Sequence, residues 1–302
     1  MNIIRMSGGL GNQMFQYSLY LRLLSLGREV KFDDVTEYQL ENARPILLSV
    51  FGIAYPKASR QEVCRITDSS MKPWDRLRRL VCGRKSREYQ EASVDFDKAV
   101  LEKEDCYLCG CFQSEKYFQE IEAEVREAFC FRNAEIPSEI RQEILSLKGR
   151  IDHSCAVSIH IRRGDYLQVS EVYGGICTEA YYDAAIRRIL EEYPEAEFFV
   201  FSNDTAWAAD WAGQKQEETG RAFTVVRGTT EETGYIDLML MSRCRHHIIA
   251  NSSFSWWGAW LNPSAEKLVI APDRWLNTRE CRDIYTDGML RIDAQGKQKT
   301  EK

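Results

Sequence analysis

Between residues 155 and 271, short apolar runs alternate regularly with amphipathic stretches, and no other feature constrains the fold of this chain as strongly. Residues 155–161, 197–201, 222–226, 246–250 and 267–271 read as strands. Residues 179–193, 205–218, 231–243 and 254–261 read as helices, three of them closed by Pro194, Gly220 and Asn262-Pro263. Strands separated by helices pair in parallel, in a sheet that helices cover on both faces. The amino terminus carries the same pattern. A strand over 2–6 leads through a glycine loop, residues 7–12, into a helix over 13–26 that Gly27 caps, and a strand over 29–32 closes at Asp33-Asp34.

The pattern weakens from 35 to 150, where a strand over 106–112, a charged helix over 114–131 and a helix over 137–147 are the clearest elements. Gly149 marks a boundary. The length of 302 residues suits two domains. We therefore expect an α/β chain with domains 1–150 and 151–290 and a polar, frayed tail over 291–302.

The 40 Lys and Arg against 46 Asp and Glu give a net charge of −6, which argues against a general nucleic-acid binder. No run approaches the ~20 apolar residues of a membrane span. Met1 leads straight into the first strand without a signal-peptide pattern, so the expected location is the cytosol. The 10 cysteines are scattered and read as small buried residues of a reducing compartment. The tight group Cys106, Cys109 and Cys111 fits a strand better than a zinc site.

Ligands on open parallel sheets bind beyond the carboxyl ends of the strands. Three polar clusters fall there: His160-Ile-Arg162-Arg163-Gly-Asp165, Ser202-Asn-Asp204, and Asn251-Ser252-Ser253-Phe-Ser255 at the start of a helix. Arginine holds two phosphate oxygens at once, and a Ser-rich helix start offers hydroxyls and free N–H groups. Together they describe a pyrophosphate site, against the plainer readings of surface ion pairs and a helix cap. Gly9 and Gly11 give the first two glycines of a dinucleotide fingerprint, with Met14 in place of the third and Asp33 or Asp34 at the distance of a ribose-binding acid. An NAD enzyme is the alternative that this loop leaves open. Asn12 reads as a helix cap.

Trp256, Trp257 and Trp260 read as helix packing, with a sugar platform as the alternative. Asp95-Phe-Asp97 reads as a loop or helix cap rather than a metal site. Residues 76–87 hold six basic residues and no acid. A solvated helix face is one reading, and attraction to an anionic membrane or a lipid-pyrophosphate acceptor is the other.

Three motifs, Gly8-Gly-Leu-Gly-Asn-Gln-Met-Phe-Gln-Tyr17, His160-Ile-Arg-Arg-Gly-Asp-Tyr166 and Asn251-Ser-Ser-Phe-Ser-Trp-Trp-Gly-Ala-Trp260, make the chain resemble the α-1,2-fucosyltransferases of glycosyltransferase family 11. Phe112-Gln-Ser-Glu-Lys-Tyr-Phe118 and Phe201-Ser-Asn-Asp204 add to the likeness, which spans residues 1 to about 275. The resemblance implies a GT-B fold, two Rossmann-like domains facing a cleft, with the acceptor mainly on the first and the nucleotide on the second. It implies GDP-β-L-fucose as donor, a galactose-terminated oligosaccharide or lipid-linked glycan as acceptor, inversion to an α-linkage, and no metal or other cofactor. By resemblance Arg162 holds the β-phosphate, His160 lies near the guanine, Asp237 contacts guanine, Ser253 and Ser255 bind phosphate, and Asn12 lies close to the transferred sugar. Arg163, Ser252, Gly9 and Gly11 complete the expected donor site. Asp165 is the nearest acid to serve as general base, or else it orients the arginines. A different nucleotide sugar, or a binding protein without turnover, are the other functions that these motifs leave open.

Overall fold

The computed structural model describes residues 1–40, 43–164, 166 and 169–299. The chain divides into two compact units, Met1–Asn133 and Ala134–Lys302. In the first, strands β1 (Asn2–Arg5), β2 (Val30–Asp33), β3 (Glu88–Gln90) and β4 (Tyr107–Cys109) form a sheet of order β2-β1-β4-β3. Every pairing in it is parallel. Helix α1 (Leu10–Ser25) starts three residues earlier than its apolar spacing suggests, with Gly9 at its N-cap. It is buried on most of its circumference, so it belongs to the core rather than to one face of a surface layer. Gly27 closes the helix at φ +73°, a conformation that costs glycine little. Helices α2 (Arg60–Ile66) and α3 (Pro73–Cys82) follow β2.

The single helix expected over 114–131 is instead two 3₁₀ turns, Glu115–Tyr117 and Gln119–Ile121, followed by an α-helix, Glu122–Ala128. Tyr117 and Phe118 are both buried, and the backbone leaves helical geometry at Phe118 (φ −136°) and again at Ile121 (φ −128°), which separates the three segments. Ser114 caps the first turn by accepting from Lys116 N.

The second unit begins 17 residues before the expected boundary of 150, because the helix Arg141–His153 packs within it. Ile144, Leu147 and Ile151 of that helix are buried, and Asp152 receives two 2.7 Å hydrogen bonds from Arg243. Strands β5 (Ala156–Ile161), β6 (Glu197–Ser202), β7 (Phe223–Val225), β8 (His246–Ile248), β9 (Val269–Pro272) and β10 (Met289–Ile292) form a wholly parallel sheet of order β10-β9-β8-β5-β6-β7. Both units thus have the helix-covered parallel sheet expected of a Rossmann-like domain. The strand order of the second reverses between β5 and β8, its topological switch point.

Residues 291–299 are not a frayed tail. β10 pairs with β9, and Lys299 N returns to Arg291 O at 2.8 Å. Ile292 is buried in the main apolar cluster, and that anchors the segment despite its polar composition.

Alternation along β5 decides what each face does. Val157, Ile159 and Ile161 join Tyr181, Ile186, Ile189 and Trp211 of the helices Glu179–Glu192 and Thr205–Thr219 in one apolar cluster. On the other face, Ser158 Oγ lies 2.8 Å from His247 Nδ1, and Asn262 Nδ2 lies 2.9 Å from His247 Nε2. A neutral imidazole protonated on Nδ1 satisfies both contacts, and burial holds its pKa well below the ordinary value. Asn262 also donates to Cys244 O at 2.8 Å, which fixes the end of the helix Ser253–Leu261 to the sheet. Asn262→Ala leaves these buried acceptors unpaired. We expect it to cost about 1–3 kcal/mol for each unmet group, read as a fall in the urea midpoint by far-UV circular dichroism.

Candidate functional site

At the switch point, β5 delivers His160 and then Arg162, while β8 leads through Ala250 and Asn251 into the helix Ser253–Leu261. His160 is 4 % exposed, and its Nδ1 has no hydrogen-bond partner among the described residues. Burial, and secondarily the Arg162 charge, lower its pKa to about 3, so the ring is a neutral group with one nitrogen unused. Its ring centroid lies 5.8 Å from that of Phe254. The Arg162 guanidinium lies 5.5 Å from the centre of the Tyr166 ring. Tyr166 in turn donates to Asn251 O at 2.9 Å and stacks on Tyr173. The tyrosine therefore ties the two strand ends together.

Arg163 has a different setting. Its backbone N–H donates to Asn203 Oδ1, its Nε donates to Asp204 Oδ2 at 3.3 Å, and its guanidinium lies 4.1 Å over the Trp207 ring. Ser202-Asn-Asp204 thus serves chiefly to position the arginine loop. A Cβ on Gly164 would lie 2.6 Å from Asn203 Nδ2, so this turn requires glycine. Asp165 lies outside the described residues.

Ser252 is the N-cap residue of the helix Ser253–Leu261, extended and without a side-chain cap bond. Ser253 is half-buried in the first turn. Ser255 is turned inward, its hydroxyl 3.3 Å from Ser252 O, so its immediate role is to close the turn. Trp256 and Trp257 are fully buried and Trp260 nearly so, and Trp256 Nε1 donates to Ile284 O. They pack the helix and offer no sugar platform.

Asp237 lies in the helix Tyr235–Arg243. Its Oδ2 accepts from Thr229 at 3.1 Å, and its buried Oδ1 has no partner among the described residues. Burial lifts this carboxyl to about 7. Thr229 carries no sequence motif, and only the folded chain brings it to Asp237.

In the first unit the glycine loop runs from β1 into α1. Gly8, at φ +73°, makes the turn, and a Cβ there would lie 2.5 Å from Asn12 Nδ2. Gly9 faces the Arg44 side chain, and Gly11 and Asn12 lie within the first turn of α1. Asn12 does not cap the helix; its Oδ1 accepts from Gln113 at 2.8 Å. Gln13 and Gln16, fully buried, bind the loop. Gln13 Nε2 donates to Gly8 O and Pro45 O, and Gln16 Nε2 donates to Ser7 Oγ and Gly110 O. Two glutamines three apart in an apolar helix were the signal for this role. Asp33 does not serve as a ribose acid: Thr36, Tyr107 and two backbone N–H groups occupy its carboxylate.

Cys109 lies on β4, whereas Cys106 and Cys111 flank the strand. Asp97 accepts from Ala99 N at the start of a short helix and from Tyr89.

The His160 environment generates a prediction. Because its native pKa is depressed, the unfolded chain takes up a proton below about 6.5 that the folded chain refuses. The stability of the buried neutral ring is therefore present above pH 6.5 and lost as pH falls toward about 3. We expect the His160 ring resonances to stay unmoved from about pH 8 to 5. A titration near 6.5 would contradict this geometry.

A family model described as Glycosyl transferase family 11 matches residues 1–288. An alpha-1,2-colitosyltransferase of Escherichia coli is 34% identical over 286 residues, 92% of this chain and 93% of that protein. The O-antigen biosynthesis glycosyltransferase WbnK of Escherichia coli is 30% identical over 316 residues, 95% of this chain and 99% of that protein. The galactoside alpha-(1,2)-fucosyltransferase 1 of Plecturocebus brunneus is 26% identical over 265 residues, covering 84% of this chain and 63% of that protein. Among solved structures, Escherichia coli ADP-heptose lps heptosyltransferase II superposes with a TM-score of 0.42 at 10% identity, over 90% of this chain and 84% of that one. The family match runs through all three motifs, from the glycine loop to the tryptophan helix, and the chain belongs to glycosyl transferase family 11.

Proposed function

We propose that this glycosyltransferase moves L-fucose from GDP-β-L-fucose to the 2-hydroxyl of a terminal β-galactoside, with inversion to an α-1,2 linkage. The observation that carries this reading is the meeting of His160, Arg162 and the Ser252-Ser253 helix start at the β5/β8 switch point. This is where an open parallel sheet binds a nucleotide. The α-1,2 linkage named for two relatives supports the regiochemistry.

In the proposed reaction the acceptor hydroxyl attacks the anomeric carbon opposite GDP. The new C–O bond forms as the bond to the β-phosphate oxygen breaks, and the electron pair leaves with the phosphate. Arg162 and the N–H groups at the start of the helix Ser253–Leu261 stabilise that developing charge, so no metal is required. The hydroxyl proton passes to a base, for which Asp165 is our candidate. His160 and Asp237, each with a buried polar atom that lacks a partner among the described residues, are our candidates for contacts to the guanine. Asn12, its amide oriented by Gln113, is our candidate in the first unit for a hydrogen bond to sugar.

A second reading keeps the site and replaces fucose by colitose, its 3-deoxy counterpart, as the name of the 34% identical relative suggests. The two donors offered together with a panel of β-galactosides decide between the readings. We expect a fucosylated product linked at the 2-hydroxyl by NMR, formed equally with EDTA. Transfer of colitose alone would establish the second reading, and no transfer to any β-galactoside would sink both. Arg162→Ala should lower kcat by about 10²–10³, the usual effect of losing one donor to a developing anion.

The Asp237 carboxyl, raised to about 7, is protonated below that pH and ionised above it. Guanine offers N–H donors, so GDP affinity by calorimetry should rise as pH passes upward through 7. Asp237→Asn should bind more weakly at high pH and abolish the rise.

A further inference from the structure

Helix α3 (Pro73–Cys82) has no buried residue, yet its apolar side chains are gathered on one side. Trp74 is 81 % exposed, Leu77 52 %, Leu80 84 % and Val81 77 %, and Met71, just before the helix, is 70 % exposed. At helical spacing Trp74, Leu77, Leu80 and Val81 span an arc of roughly 120°. A surface helix ordinarily turns such a stripe inward.

Here the polar side holds the helix to its unit. Arg78 pairs with the Asp68 carboxylate, and Arg79 donates to Asp68 O and Ser70 O. Asp68 also accepts from Lys85 N, which closes the segment after the helix. The attachment is polar and the free face apolar, the reverse of a helix that has lost its packing partner within its own unit.

The charges bordering the stripe decide what covers it. Arg76 is exposed beside Leu80, with no ion-pair partner among the described residues, whereas Arg78 at the other edge is paired with Asp68. Lys72 is exposed at the N-cap and Lys85 beyond the C-terminus. The single acid in the helix, Asp75, lies on the side away from the stripe. An apolar stripe with Trp, edged by cations on a molecule of net charge −6, complements an anionic lipid surface and is poorly suited to an acidic copy of itself. Among the described residues no helix is long and apolar enough to cross a membrane.

We propose that α3 is an interfacial anchor: it lies in the headgroup layer of an anionic phospholipid bilayer, with Trp74, Leu77, Leu80 and Val81 entering the acyl boundary. This surface does not depend on the donor or acceptor assigned above.

The test uses the full chain with two kinds of vesicle, pure phosphatidylcholine and phosphatidylcholine containing about a quarter phosphatidylglycerol. Binding is read by co-flotation without any sugar donor. We expect binding to the anionic vesicles only, weakened by added salt. Trp74→Ser with Leu80→Ser should lower the partition coefficient by at least about tenfold. Arg76→Glu should weaken it too, and Leu145→Ser, an exposed leucine of the second unit, should not. These positions are exposed, so circular dichroism and transfer to a soluble acceptor should be unchanged in all three variants. Equal binding to neutral vesicles, no binding to either, or a concentration-dependent dimer that Trp74→Ser with Leu80→Ser dissolves would each overturn the proposal.

Discussion

The second unit depends on a buried chain of hydrogen bonds, Ser158 to His247 to Asn262, that fastens one end of a tryptophan-rich helix to the sheet. Three polar groups in an apolar layer are costly unless every one is satisfied, and here a single neutral imidazole satisfies both neighbours. With its carboxyl end held this way and Trp256, Trp257 and Trp260 packed beneath it, the helix starts at the end of β8. Its N-terminus then lies beside the end of β5, where His160 and Arg162 emerge. The candidate site is a consequence of that anchoring.

The first unit solves a similar problem with glutamine. Gln13 and Gln16 lie inside an almost wholly buried helix and use their amides to fix the glycine loop, the segment around Pro45 and the end of β4. Gly8 permits the turn, and the glutamines select one arrangement of it. The neighbouring Asn12–Gln113 pair inherits its position from this lattice.

Much of this was legible in the chain. The β-α alternation beyond residue 155 maps onto β5 to β9 and their helices with small shifts, because each strand is a short apolar run closed by a turn residue. Three parts were not legible. Residues 114–131 break into 3₁₀ turns where the backbone opens at Phe118 and Ile121, and 291–299 pair because Ile292 reaches the core. The basic run at 76–87 concealed an outward apolar face, since Arg78 and Arg79 turn to Asp68 and leave Trp74, Leu77, Leu80 and Val81 uncovered.

By itself the sequence determined the α/β class, the parallel pairing and the strand ends that carry His160, Arg162 and Ser252, since periodicity and turn chemistry are local properties. It also carried the family motifs. Only the tertiary structure decided the strand order that makes β5 and β8 neighbours, and with it the site, because sheet order depends on how distant segments pack. The same holds for the division of labour within the motifs. Arg163 and Ser255 are bound to the protein itself, whereas His160 and Asp237 each keep a buried polar atom unused. Whether a polar group is spent on the fold depends on the neighbours that burial brings to it, and these come from far along the chain.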